Sequence, residues 1–397
     1  MQQYVLVLNC GSSSLKFAVI DPQSGDEVCK GLAERLGQEG ASIKVKHGGD
    51  AEESALPAPG THVEALLYIE EALERFGLQQ ALCAVGHRVV HGGEFFSESV
   101  RVDQSVRDKI AECIRLAPLH NPAHVIGIDA ATKAFPDLPQ AAVFDTAFHQ
   151  RMPEKAYLYA LPMSLYKDYH IRRYGFHGTS YRYVSAQMPA LLGKEKPKLV
   201  ICHLGNGGSL AAIDGDHSVD TTMGLTPLEG IVHGTRSGDL DPAIPTLLIE
   251  QFGMSAAEVD ATLWKKSGLL GLSGISNDCR TLEEAMEEGD ADATRALEIY
   301  CYRLAKHIAA QMVALGGCDA LVFTGGIGEN SPFVRKHAVE QLAFLGFALD
   351  SAKNDTTLRG KQGNIAAEGS KPVWVVPTNE ELLIARDTAA LCGGAQA

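Results

Sequence analysis

A strand-like run, a turn of small residues and a second run ending in aspartate occur twice in this order, about 195 residues apart. The first copy is Val5 to Leu8, then Asn9-Cys10-Gly11-Ser12-Ser13-Ser14-Leu15-Lys16, then Phe17 to Asp21. The second is Leu199 to Cys202, then His203-Leu204-Gly205-Asn206-Gly207-Gly208-Ser209-Leu210, then Ala211 to Asp214. A repeat on this scale points to two similar halves, and 397 residues suffice for two domains with filled cores. Two unrelated β-hairpins would leave the same trace, because glycine and serine are common in turns.

Short apolar runs recur between helical patterns, at Tyr4 to Leu8, Cys83 to Val85, Ala141 to Phe144, Leu199 to Cys202, Leu321 to Phe323 and Val373 to Val376. Such runs read as strands buried on both faces. Between them, Val63 to Phe76 reads as an amphipathic helix closed by Gly77. A second helix runs through Leu297, Cys301, Leu304, Ile308 and Leu315 and stops at Gly316-Gly317. Thr281 with Glu284 offers a capping box before the preceding helix. The pattern is α/β.

A formal charge of −14 argues against a general nucleic-acid or anionic-membrane binder. Any anionic substrate then needs a local basic pocket. The start, Met1 to Leu8, lacks the charged and apolar regions of a signal peptide, and no run reaches membrane-spanning length. Nine scattered cysteines, without a Cys-x-x-Cys pair, suggest neither a disulfide framework nor a zinc site and fit a reducing cytoplasm.

Phosphate needs backbone N–H groups, small side chains, hydroxyls and a cation, and Asn9 to Lys16 supplies all of these within one turn. The stretch matches neither the P-loop nor the dinucleotide fingerprint, which excludes those two folds. A solvated serine-rich turn stays open as an alternative. Gly205 to Ser209 and Thr324-Gly325-Gly326-Ile327-Gly328-Glu329-Asn330 are further glycine clusters after apolar strands, where an α/β sheet presents its ligand crevice. Tight connection geometry is the plainer explanation for either one alone.

Arg88, in Gly86-His87-Arg88-Val89-Val90-His91-Gly92-Gly93, and Arg236, in Gly234-Thr235-Arg236-Ser237-Gly238-Asp239, each set a planar fork among glycines. Two forks suit a carboxylate and a phosphoryl group; structural salt bridges fit equally well. Asp145 ends an apolar strand, where an acid is functional or paired. His177 sits between glycines in Tyr174-Gly175-Phe176-His177-Gly178-Thr179-Ser180, although a structural histidine is the commoner case. In Pro377-Thr378-Asn379-Glu380-Glu381 a carboxylate could help hold Mg²⁺, a reading compatible with a helix N-cap there.

Together with Ala117-Pro118-Leu119-His120-Asn121-Pro122 and Val143 to Gln150, these segments resemble, in order and over nearly the whole chain, the motifs of the acetate kinase family. The resemblance implies two domains with a duplicated ribonuclease H-like core, as in actin, sugar kinases and heat-shock chaperones, mixed β-sheets flanked by helices and an active site in the interdomain cleft. Domain limits are expected at 1–148 plus 381–397 and at 149–380.

The resemblance further implies reversible, direct in-line transfer of the ATP γ-phosphoryl group to acetate, giving acetyl phosphate and ADP. It assigns Mg²⁺, replaceable by Mn²⁺, to Asn9 and Glu380. ATP falls to Ser12, Ser14, Lys16, to His203, Leu204, Gly205, Asn206 and Gly207, to Asp278, Cys279 and Arg280, and to Gly326, Ile327, Gly328, Glu329 and Asn330. Arg88 binds the acceptor carboxylate, with His120 in support. Val90, Leu119, Phe176 and Pro227 line a small acceptor pocket. Asp145 is the acid/base or metal-organising carboxylate, and His177 and Arg236 stabilise the transition state. A cytoplasmic homodimer without nucleic-acid or membrane partners is implied. The alternatives are a propionate kinase of the same family and an actin-like or chaperone-like ATP-hydrolysing switch.

Overall fold

The computed structural model describes residues 3–393. Met1 and Gln2, part of the stretch considered for a signal peptide, and residues 394–397 of the expected first domain lie outside the described residues. Among the described residues no helix is long and apolar enough to cross a membrane. The chain divides into two compact units, one formed by residues up to Gln150 with those from Asn379 onward, the other by Arg151–Thr378.

The first unit is built on eight strands: β1 (Tyr4–Cys10), β2 (Ser14–Ile20), β3 (Glu27–Glu34), β4 (Ser42–His47), β5 (Asp50–Ala55), β6 (Leu82–Val89), β7 (Val100–Arg101) and β8 (Gln140–Phe144). Their order is β5-β4-β3-β2-β1-β6-β8-β7. β1 runs antiparallel to β2 and parallel to β6, which runs parallel to β8. Val5 to Leu8 of central β1 are all buried, so this strand reads as an unbroken apolar run.

Helices His62–Arg75 and Asn121–Ala134 lay Leu66, Ile69, Ala130 and Ala131 against Leu6, Leu8, Phe17 and Val85. Each of the larger side chains among these, leucine, isoleucine, valine or phenylalanine, contributes about 1.5 to 3 kcal/mol. Thr61 and Glu64 close the start of His62–Arg75 with a reciprocal capping box. The other face carries the small residues Ala84 and Gly86 of β6, and there the helix Glu380–Cys392 packs so closely that a Cβ on Gly86 would meet Ile384 and Thr388.

The second unit holds β9 (Lys198–His203), β10 (Ser209–Asp214), β11 (His217–Thr221), β12 (Ala320–Thr324), β13 (Gly363–Asn364) and β14 (Val373–Val375), ordered β11-β10-β9-β12-β14-β13. β9 is antiparallel to β10 and parallel to β12, and β12 is parallel to β14. The set β3-β2-β1-β6-β8 thus recurs in order and direction as β11-β10-β9-β12-β14. This is the duplicated ribonuclease H-like core, and the repeated sequence pattern is its first hairpin.

The helix Ala291–Leu315 packs its apolar stripe on this sheet and ends at Gly316, whose φ of +62° gives the left-handed cap. One local expectation is corrected. Asp278, not Thr281, caps Cys279–Glu287, accepting from the Arg280 N–H at 2.9 Å, and Thr281 falls inside the first turn. An aspartate already placed before the helix satisfies the orphan donors that Thr281 would have served.

Candidate active site

In the first unit, β1 and β2 bring Asn9 opposite Lys16. The Gly11 N–H donates to the Ser14 carbonyl at 2.8 Å, which closes the turn that carries the half-buried Ser14 and the exposed Ser12. Lys16 does not stand alone: its Nζ meets Glu381 at 2.7 Å, with the lysine side chain 54% exposed. An exposed pair of this kind is worth about 0 to 1 kcal/mol, so Lys16 can exchange Glu381 for a phosphate at little cost. Asn379 caps Glu380–Cys392, its Oδ1 accepting from the Leu382 N–H at 3.0 Å. Glu380, in the first helical turn, is half-buried and forms no ion pair of its own among the described residues.

Arg88 ends β6 and Asp145 follows β8, and adjacency of the two parallel strands joins them. Arg88 Nε and Nη2 donate to the two Asp145 carboxylate oxygens at 3.1 and 2.7 Å. The carboxylate is 2% exposed and the guanidinium 25%. The Asp145 charge holds Arg88 firmly protonated. Burial pushes the Asp145 carboxyl up from the usual range and the Arg88 charge pulls the other way. A guanidinium has five N–H donors, so this bidentate pair leaves the outer edge of the Arg88 fork for another carboxylate.

His120 occupies the N-cap position of Asn121–Ala134, and its charge reaches Asp145. Behind it lie two histidines that sequence reasoning missed. His87 donates from Nε2 to Gln140 Oε1 at 2.7 Å, and burial pushes it down to about 4. His124, pushed down to about 3 by burial and by the nearby Arg88 charge, has both ring nitrogens unpaired among the described residues. The period-two alternation of β6 turns His87 away from the Arg88 face and was the available signal. Val90 is half-buried just past β6, and Leu119 is 59% exposed ahead of the His120 helix.

In the second unit the loop between β9 and β10 meets the turn after β12. The Ile327 N–H donates to the Leu204 carbonyl at 2.8 Å. Gly325, at φ +77°, lies so close to the Leu204 backbone that no side chain fits there. Beside this contact opens a cavity of about 370 Å³ lined by Gly205, Asn206, Asn277, Asp278, Cys279, Arg280, Gly326, Ile327, Asn330 and Ser331. Its size falls in the small-ligand range.

Half of the residues expected at a nucleotide, Gly205, Asn206, Asp278, Cys279, Arg280, Gly326, Ile327 and Asn330, are therefore brought together here. Leu204 is instead buried, and Glu329 Oε1 braces the loop by accepting from the Gly325 and Thr378 N–H groups at 2.9 and 3.1 Å. Asn277 and Ser331 were missed; Asn277 donates to Asn206 Oδ1 at 2.8 Å. The Cys279 thiol, pushed well up by burial, lies 3.3 Å from Glu283.

Arg236 is half-buried, donates from Nη1 to the Pro227 carbonyl at 3.0 Å and lies 5.4 Å from the Trp264 ring centroid. No carboxylate among the described residues pairs with it, and burial pulls its pKa down. A Cβ on Gly207 would come within 3.1 Å of its Nη1, so glycine there lets the loop approach the cation. His177 stands at the N-cap position of Gly178–Ser185 with φ +57°, and Phe176 beside it is buried. A half-buried cation with no carboxylate partner among the described residues, next to a glycine loop at a cavity of small-ligand size, suits an anion.

That combination, on a duplicated core of this topology, is what a kinase-class phosphotransferase needs. The model of the acetokinase family matches residues 4–386, and the chain belongs to that family. An acetate kinase of Dichelobacter nodosus is 68% identical over 392 residues, covering 98% of this chain and 99% of that protein. One of Chromobacterium violaceum is 54% identical over 395 residues, covering 99% of each. Among solved structures, the Porphyromonas gingivalis acetate kinase superposes with a TM-score of 0.93 at 44% identity, covering 98% of this chain and 99% of that one. A propionate kinase of Francisella tularensis does so with a TM-score of 0.93 at 43% identity, covering 98% and 100%.

Proposed function

We infer that this chain is an acetate kinase, moving the ATP γ-phosphoryl group onto acetate to give acetyl phosphate and ADP, and running the reverse. The observation that carries this is the 68% identity, over 98% of the chain, to an acetate kinase. The relative named as a propionate kinase stands at 43% identity, within the same family.

In the reading we favour, the outer edge of the Arg88 fork holds the acetate carboxylate and Asp145 holds Arg88. Asp145 then serves as an aligning carboxylate rather than a base, because acetate is already ionised and nucleophilic at neutral pH. Its oxygen attacks the γ-phosphorus, the bond to the bridging oxygen breaks and the electron pair leaves with ADP. A loose transition state needs mainly positioning and compensation of charge, which Arg236 supplies as a cation and His177 as a hydrogen-bond donor. The loop Gly205 to Gly207, Asp278 to Arg280 and Gly326 to Asn330 hold the nucleotide, with Lys16, Ser12 and Ser14 toward phosphate.

Mg²⁺ takes oxygen ligands, few of them from protein, and Asn9 with the Glu380 carboxylate, which forms no ion pair among the described residues, provides a fitting donor set. Bound there, the ion would neutralise phosphate charge. Homodimer formation gains support from the helix Ala243–Glu250, which has no buried residue, and from exposed Ile244, Leu247, Ile249 and Phe252 nearby. An apolar surface of that kind calls for a cover, and a second copy of the chain is the proposed one. A cytoplasmic setting fits the unpaired cysteines.

ADP release followed with and without acetate tests this reading against an ATP-hydrolysing switch. Release should depend on acetate, stop with a chelator and return with Mg²⁺; equal release without an acceptor would refute it. Val90 lies just beyond Arg88, and Val90→Ala should shift kcat/KM toward propionate by about tenfold, the worth of one methylene in a small pocket. An unchanged propionate-to-acetate ratio would remove Val90 from the pocket.

A further inference from the structure

His177 and His203 stack with ring centroids 4.2 Å apart and planes inclined by 26°. Each is held through Nδ1 by a serine. His203 meets Ser180 Oγ at 2.8 Å, and Ser180 in turn meets Thr378 Oγ1 at 2.8 Å. His177 meets Ser209 Oγ at 2.8 Å, and the same oxygen lies 2.5 Å from the Tyr181 hydroxyl. Ser209 and Tyr181 are both fully buried, so bulk water offers neither group an alternative. Ser209 opens β10 opposite His203 of β9, and Tyr181 lies one helical turn beyond His177 on the same face of Gly178–Ser185.

We propose that Ser209 and Tyr181 are positioning residues for His177, a hydrogen-bond chain that fixes its tautomer with the proton on Nε2. The direction of the chain follows from acid and base strength. The phenol is the stronger acid of the two hydroxyls and the unprotonated imidazole nitrogen the stronger base, so Tyr181 donates to Ser209 Oγ and Ser209 donates to Nδ1. Nε2–H is then a donor, the form that stabilises charge on a phosphoryl oxygen. The opposite tautomer would present a lone pair to an anion. The left-handed backbone at His177 adds to the case, since a non-glycine residue there is strained and needs its surroundings to hold it.

This inference rests on the reading of His177 as a contact of the transferring phosphoryl group, and a double-mutant cycle separates the two. Ser209→Ala should lower kcat about tenfold with both KM values within about twofold, and in a His177→Ala background it should change kcat by less than about twofold. Tyr181→Phe, which removes one buried oxygen and keeps the ring, should act in the same direction and show the same coupling. A purely structural role would lower kcat by the same factor in both backgrounds, and that result overturns the proposal. So does wild-type kcat in both single variants when His177→Ala itself is impaired. Wild-type kcat in His177→Ala removes the phosphoryl contact, and the positioning role falls with it.

Discussion

Arg236→Ala is expected to lower kcat by at least about a hundredfold, the scale of a transition-state charge stabiliser, with a much smaller change in either KM. The expectation comes from what surrounds the side chain. Its charge is half-buried against Trp264 and the Pro227 carbonyl, with no carboxylate among the described residues to answer it. An arginine kept for stability is tied down by several partners, as Arg173 is by Glu229 at 2.6 Å and by the Thr221, Thr222 and Met223 carbonyls. Removing Arg236 should therefore leave the fold intact, or even more stable, because a partly desolvated lone charge is unfavourable. Steady-state kinetics with a thermal melt on the same sample checks both halves. A near-normal kcat, or a melting temperature that falls as in an ion-pair deletion, would contradict the assignment.

Arg88→Ala should behave differently, with a large rise in acetate KM accompanied by loss of stability. Two charge-assisted hydrogen bonds to the acceptor carboxylate are worth about 3 kcal/mol together, roughly a hundredfold in apparent affinity. The same deletion strands Asp145, 2% exposed, as an uncompensated carboxylate, a defect that costs on the order of 3 to 5 kcal/mol. Arg88→Lys separates the effects. It returns a cation to Asp145 but not the planar fork, so stability should largely recover while acetate KM stays high. ATP binding should be spared in both variants. Acetate kinetics unchanged in Arg88→Ala would take the acceptor away from this residue.

The central strands were legible because they are buried on both faces, and the hairpin pattern shared by β1-β2 and β9-β10 exposed the duplication. β4 and β5 were not legible: Lys44, Lys46, Glu52 and Glu53 interrupt any apolar run, because these strands lie at the end of the sheet with much of their surface in solvent. At the site, the glycines flanking Arg88 and Arg236 make room for other neighbours, Gly86 for Ile384 and Thr388 and Gly234 for Asn206, and it is Gly207 that approaches the Arg236 fork. The partners of the site's cations stayed hidden, since pairing is decided by strand adjacency. Arg88 meets Asp145 because β6 lies beside β8, Lys16 meets Glu381 through the return of the C-terminal helix, and Arg236 meets no acid among the described residues. Ser209 and Tyr181 were invisible as support for His177 because a serine in a glycine-rich turn and a tyrosine in a helix carry no signal until the fold sets them around one ring.

The most direct measurement is acyl-phosphate formation from ATP and Mg²⁺, trapped with hydroxylamine, using acetate, propionate, butyrate and no acceptor in parallel. The account predicts strong product with acetate, less with propionate and none without an acceptor. Release of ADP without any acyl phosphate would contradict it.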